Sequence, residues 1–193
     1  MTEILKINAK TFININTTLG ILTIVTCYII AQSLNHVHNV LPMISDCFVY
    51  KPENYVSRIG VISFICCGNL ISNIVIANYY STTKMINKFL ITISCINSFC
   101  FGFVGAISET DNLTIHNVCA LTGYISYAVY LLIIYCLKLD YYKSYLICLY
   151  VFFLVLKIVN TKPFIEWTLT LIYSLNMYKL TSVMQDEYIL INI

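Results

Sequence analysis

Six stretches of this sequence, each 17 residues or longer, are apolar with scarcely a charge: Thr17–Leu34, Ile59–Tyr79, Phe89–Ile107, Asn117–Leu137, Ser144–Asn160 and Phe164–Met184. A helix that crosses a bilayer needs ~20 mostly apolar residues, with about 17 as the lower limit. Hydrocarbon offers backbone N–H and C=O groups no partner, so such runs must be helices that satisfy themselves. The pattern predicts an all-α, polytopic membrane protein. It is a bundle of six transmembrane helices in a single domain over residues 1–193. Short loops join the helices, with one longer outer loop between spans one and two. The fifth run carries Lys157 near its end, where a lysine reaches the headgroups by snorkelling.

Composition excludes a water-soluble alternative. Apolar residues make up 59 % of the chain and charged residues 10 %, against about 25 % charged in soluble domains. A net charge of +2 with scattered basic residues gives no surface for nucleic acid. Of the nine cysteines, eight lie in or near apolar runs and only Cys47 sits in a polar loop. Free cysteine behaves there as a small hydrophobe, so no disulfide framework is expected. The polar stretch Thr2–Asn16 before the first run and the lack of a small-residue cleavage site mark an uncleaved span.

Loop charge gives an orientation. With a cytosolic N-terminus, seven lysines (Lys6, Lys10, Lys84, Lys88, Lys138, Lys143, Lys179) lie on or near the cytosolic side. Four basic residues (Lys51, Arg58, Lys157, Lys162) lie on the other, as the positive-inside rule prefers. Both termini are then cytosolic. The sequon Asn112-Leu113-Thr114 falls outside, in a loop too short to give a glycan much clearance. The tail Gln185–Ile193 carries no convincing sorting signal.

Polar groups inside the runs read first as packing. Ser94, Ser98, Gly102 and Ala106 recur at four-residue steps, a small-residue seam that lets helices approach in lipid. Asn69, Ser72 and Asn73 share a face and read as interhelical hydrogen-bond glue, with a polar cavity as the alternative. His36, His38 and Asp46 could hold a metal, but this spacing in a loop reads better as solvated. No catalytic, cofactor-binding or metal-ligating residue is assigned, and no cofactor is implied. Asp and Glu are absent from the run interiors, where a proton-coupled pump would hold one.

The first outer loop carries Pro42, Ile44, Ser45 and Asp46, followed by Pro52 and Glu53, the glutamate seven residues after Asp46. His116 opens the fourth run with Ala120, Gly123 and Tyr130 behind it, and Glu166-Trp167 opens the sixth. This set resembles the damage-regulated autophagy modulators and their Frag and Sfk relatives, a superfamily of six-span membrane proteins. The resemblance covers nearly the whole chain. Cys47-Phe48, Lys51 and Cys119 depart from its usual pattern. It implies a non-enzymatic protein of lysosomal or other endomembranes, or of the plasma membrane. Its role would lie in autophagy or phosphoinositide regulation, exerted by binding lipids or membrane partners. One branch of the superfamily instead implies a lipid-remodelling enzyme or accessory for glycosylphosphatidylinositol anchors.

Asp46, Glu53, His116 and Glu166 all fall on the outer side. Ser45 and Asp46 suit a turn or cap. Pro52-Glu53 suits the first turn of a helix entering the second span. The motif reads as a folded lid over the bundle, with a headgroup-binding or catalytic cluster as the alternative.

Overall fold

The computed structural model describes residues 4–138, 145–159, 162–184 and 188–192. Its helices are α1 (Ala9–Ser33), α2 (Glu53–Gly60), α3 (Asn69–Tyr80), α4 (Lys84–Ala106), α5 (Glu109–Lys138), α6 (Tyr145–Val159) and α7 (Pro163–Ser182). A π-helical stretch, Val61–Gly68, joins α2 to α3, so that Glu53–Tyr80 runs as one rod of 28 residues. By length and composition four helices can cross a membrane: Ala9–Ser33, Glu53–Tyr80, Lys84–Ala106 and Glu109–Leu137. The apolar helix Tyr145–Val159 is shorter.

Polar caps set the boundaries, which is why hydropathy misplaces them. Asn8 accepts the N–H of Thr11 at 3.0 Å and starts α1 at Ala9, ahead of the expected Thr17. Thr83 accepts the N–H of Ile86 at 3.2 Å and starts α4 at Lys84. Each side-chain oxygen satisfies an orphan donor of a first turn. Inside α5 the helix breaks at Asn112, whose extended backbone restarts it with a bond from the N–H of Ile115 to its own Oδ1. The expected ends of the fifth span, Ser144 and Asn160, lie outside the described residues, as do Lys143 and Gln185.

The all-α expectation fits, with one short strand pair added to the helices. β1 (Ile4–Asn8) pairs antiparallel with β2 (Tyr188–Asn192), Lys6 opposite Leu190 and Ile7 opposite Ile189. Both segments are short runs rich in isoleucine, a residue that suits a pleated surface. The clasp puts the two ends of the chain at one end of the bundle. The long loop caps the other.

The core is unusually rich in tyrosine. Tyr127 packs on Tyr173 at 3.8 Å between ring centroids and on Tyr150 at 5.4 Å. The hydroxyls find main-chain carbonyls on neighbouring helices: Tyr130 donates to Asn73 at 2.7 Å and Tyr80 to Leu180 at 2.9 Å. Tyrosine can thus fill the core with its ring and tie helices with its hydroxyl, which has no water to turn to.

The small-residue seam on α4 drifts from its expected line. Ser94 and Ser98 are buried, Gly102 is half-buried and Ala106 is exposed. Four-residue steps overshoot a 3.6-residue turn by about 40° each, so the seam passes to Gly105. A methyl there would overlap Val61, whereas one at Gly102 would meet Cys66 Sγ at 3.0 Å. Close approach recurs where α1 crosses the Glu53–Tyr80 rod. A Cβ at Gly60 would strike Thr23, and one at Gly68 would strike Asn16.

Candidate functional site: a lid over a cavity in the bundle

The lid begins where α1 ends. Asn35 takes the left-handed conformation (φ 57°), the N–H of His36 bonds the carbonyl of Ala31 at 2.9 Å, and that of Asn35 bonds Gln32 at 3.1 Å. This is a Schellman closure with asparagine in the place glycine usually takes. It turns the chain back over α1, where Tyr28 and Gln32 donate to the carbonyls of Val40 and Asn39. A 3-10 turn, Ser45–Phe48, then drives Ile44, Cys47 and Phe48 into a small core with Ile24, Cys27, Ala31 and Val61. Cys47, expected in a polar loop, is buried, and burial among carboxylates pushes its thiol up to about 12.

Three further hydrogen bonds fasten the lid to α5 and α7. The N–H of Ile44 donates to Glu166 Oε2 at 3.1 Å. Trp167 Nε1 donates to the carbonyl of Pro42 at 2.8 Å, its ring edge-on to Tyr28. Ser45 Oγ donates to Glu109 Oε1 at 2.5 Å. Asp46 points back and accepts the N–H of Met43 at 3.0 Å, bracing the turn. Partial burial raises the Asp46 carboxyl above its usual range; the Met43 bond works against this and nearby Glu109 adds to it.

The four outer acid and histidine residues each take a separate hydrogen-bond partner. Glu53, the first residue of α2 after Pro52, is fully buried and bonds His36 Nδ1 at 2.5 Å. It braces the flank of the lid. His116, also buried, has Nδ1 on the carbonyl of Ile107 at 2.7 Å, which fixes the proton on that nitrogen because a carbonyl only accepts. Its Nε2 lies 3.7 Å from Glu109 Oε1. Glu166 pairs with Lys157 at 3.8 Å. Of these partners the sequence reading passed over Glu109, and it gave His36 and Lys157 other roles. Asn112 is exposed, with its Oδ1 committed to capping.

The chemistry available is limited. Glu109, not His116, sits on the hydroxyl of Ser45, so no imidazole is placed to take the serine's proton. Among the described residues no three of His, Cys, Asp and Glu come together to hold a metal ion.

Beneath the lid lies a half-open cavity of about 90 Å3. Ile44, Ser45, Phe48 and Glu166 line its outer end, and Ile21, Ile24, Ile65, Phe101 and Val104 contribute to its walls. Asn16, Asn69 and Tyr173 form its floor. Asn16 Nδ2 donates to Asn69 Oδ1 at 3.0 Å, and Asn69 Nδ2 donates to Tyr173 Oη at 3.0 Å. Asn69 therefore both ties helices together and borders a cavity.

Long apolar helices roofed by a polar, hydrogen-bonded lid define an integral membrane protein with an internal cavity. The chain belongs to the Frag1/DRAM/Sfk1/Cwh43P N-terminal domain family, whose sequence profile matches residues 9–183. No curated protein and no solved structure matches it.

Proposed function

We propose that this protein spans the membrane six times and binds lipid inside its helix bundle. In this reading it acts on endomembranes, the lysosome foremost, as a non-enzymatic modulator of the autophagy or phosphoinositide type. Partner membrane proteins would meet its outer helix faces. The cavity under the lid carries the reading. Its apolar walls with a few polar groups are what ligand sites have. An even number of crossings, as six is, fits the strand pair that joins residues 4–8 to 188–192. The excess of lysine on the clasp side supports cytosolic ends.

The test is lipid analysis of protein purified in mild detergent, beside a variant with a filled cavity. A Cβ at Gly20 would lie 3.5 Å from Ile65, an ordinary contact, so Gly20→Ile projects into the cavity without forcing the backbone. One lipid class should be enriched over the bulk membrane in the natural protein and lost in Gly20→Ile. Equal lipid profiles in both would defeat the reading. Lipid conversion by the purified protein would instead promote the remodelling-enzyme alternative.

A further inference from the structure

We propose that the groove between α6 and α7 at the clasp end of the bundle binds one anionic phospholipid, whose phosphate takes the ammonium of Lys179 and the hydroxyl of Tyr145. The site is separate from the cavity under the lid. It rests on the six-span reading, which puts α6 and α7 in the bilayer.

The two helices meet differently at their two ends. At the lid end Lys157 of α6 pairs with Glu166 of α7 at 3.8 Å. At the clasp end Tyr145 and Leu146 open α6, and Leu175, Tyr178, Lys179 and Ser182 stand beside them on α7. The four α7 positions follow the i, i+3, i+4, i+7 spacing of a single helix face. Tyr178 Oη shares a hydrogen bond with Thr18 Oγ1 at 2.8 Å, which fixes that side of the groove to α1.

The donors in this groove have no acceptor. Among the described residues no acid pairs with Lys179, and no acid lines the groove. Nor does the end of α7 claim the ammonium. The carbonyls of Tyr178, Lys179 and Thr181 already accept from Thr181 Oγ1, Ser182 Oγ and the N–H of Met184, so no lysine is needed to cap them. Among the described residues the Tyr145 hydroxyl is likewise outside every hydrogen bond.

Depth makes that lack costly. Glu166 and Lys179 stand about 20 Å apart along α7 at 1.5 Å per residue, against a hydrocarbon core of about 30 Å. α6, with 15 residues, is about 22 Å long. With the Lys157–Glu166 pair at the lid-side boundary, Lys179 stops short of the opposite headgroups, where a cation calls for an anion. Lipid heads dip to meet a short helix. A phosphatidylcholine head brings its own cation along with its phosphate, whereas an anionic head brings net negative charge to the lysine. Its acyl chain then lies along Leu175 and Leu171, 43 % and 58 % exposed on α7. Those leucines make the occupant a lipid and not free phosphate.

The experiment places the full chain in nanodiscs of phosphatidylcholine with a minor share of phosphatidylglycerol of the same acyl chains. Native mass spectrometry then counts the lipids that stay on the protein. One phosphatidylglycerol should be retained, enriched about fivefold or more over its share of the disc. Lys179→Gln should bring retention down to that share, and Lys179→Arg should keep the enrichment. Lys84→Gln removes a charge at the same end but outside the groove and should change nothing. Melting of each variant is measured first; should Lys179→Gln fail to fold, Tyr145→Phe removes only a hydroxyl and should still lower the enrichment about twofold. Unchanged retention in Lys179→Gln, or an equal fall in Lys84→Gln, overturns the inference. Displacement of the lipid by glycerol 3-phosphate also overturns it, since the site would then take free phosphate. Retention lost in Gly20→Ile and kept in Lys179→Gln would put the lipid in the cavity, overturning this inference and upholding the lipid-binding reading. In sealed vesicles, labelling of Lys179→Cys from the lid side would overturn the six-span reading and this inference with it.

Discussion

The amide N–H of Ile44 donates to Glu166 Oε2 at 3.1 Å, across 122 residues of chain. One bond therefore joins the loop after the first helix to the first turn of the last. Ile44 also delivers its side chain to the small core beneath, so the polar bond and the apolar contact fix the same residue. Loss of Glu166 should be felt in the lid before it is felt in the bundle. Glu166→Ala leaves a buried N–H unpaired and Lys157 without its carboxylate, at a cost of about 1–3 kcal/mol or more. Glu166→Gln keeps an acceptor oxygen and should cost clearly less. Melting in detergent ranks the two, and a red shift of Trp167 emission should accompany the alanine variant alone. Equal melting of both variants would show that the latch contributes nothing.

Cys47 offers a chemical reading of the same lid. Its thiol is buried and pushed up to about 12, so thiolate is scarce at neutral pH and maleimide should label it slowly. Trp167→Phe removes the bond to Pro42 and should raise the labelling rate about tenfold or more, scored in a variant that retains Cys47 as the sole cysteine. Rapid labelling of the unaltered lid would mean that it is already open.

Asp46 sets a pH dependence whose sign is fixed. Its folded carboxyl titrates above the ordinary 3.8, so the folded state holds the proton more tightly than the unfolded chain does. The stabilising contribution is complete below the unfolded value and is lost as pH rises through the folded one. Asp46→Asn can still accept the Met43 N–H and cannot ionise. Its melting temperature should vary less with pH across that window than the natural protein's, and at neutral pH it should melt no lower. A variant that melts well below the natural protein at neutral pH would show that the charge itself is needed.

The seam on α4 separates crowded from open positions. Gly105→Leu forces a side chain into Val61 and should cost about 1–3 kcal/mol through overpacking. Ile96, 44 % exposed, should accept phenylalanine with little effect. Folded yield after detergent extraction decides the matter, and equal yields would refute the seam.

The clasp makes the simplest prediction. Lys6 and Leu190 stand opposite each other in register, so cysteines at both positions should form an intramolecular disulfide on mild oxidation. A linked product places both ends on one side of the membrane. Failure to link, with each cysteine separately reactive from opposite sides, would require an odd number of crossings.

What could be read from the sequence divides along a physical line. Hydrocarbon imposes long apolar helices, so the rods were visible, and a proline–glutamate start marked Glu53 as the head of α2. Boundaries were not, because Asn8 and Thr83 cap from within polar stretches that hydropathy reads as loop. The π-helical stretch has no apolar periodicity of its own to announce it, and a five-residue strand pair is too short to stand out at the ends. At the lid, the motif residues were identifiable but their partners were not. Glu109 meets Ser45 across 64 residues, and nothing local foretells that. Lys157 did leave a signal: a cation at the end of an apolar run needs an anion, and Glu166 is the next acid in the chain.

The strand pair that joins residues 4–8 to 188–192 also makes the fold indifferent to where its chain starts. With the two ends already side by side, a short linker could splice them and new termini could be cut in the turn between Tyr80 and Lys84. Such a circular permutant would thread its helices into the membrane in a different order. It should still arrive at the same lidded bundle, because the latch at Glu166 and the tyrosine core depend on which helices are neighbours and not on which is made first.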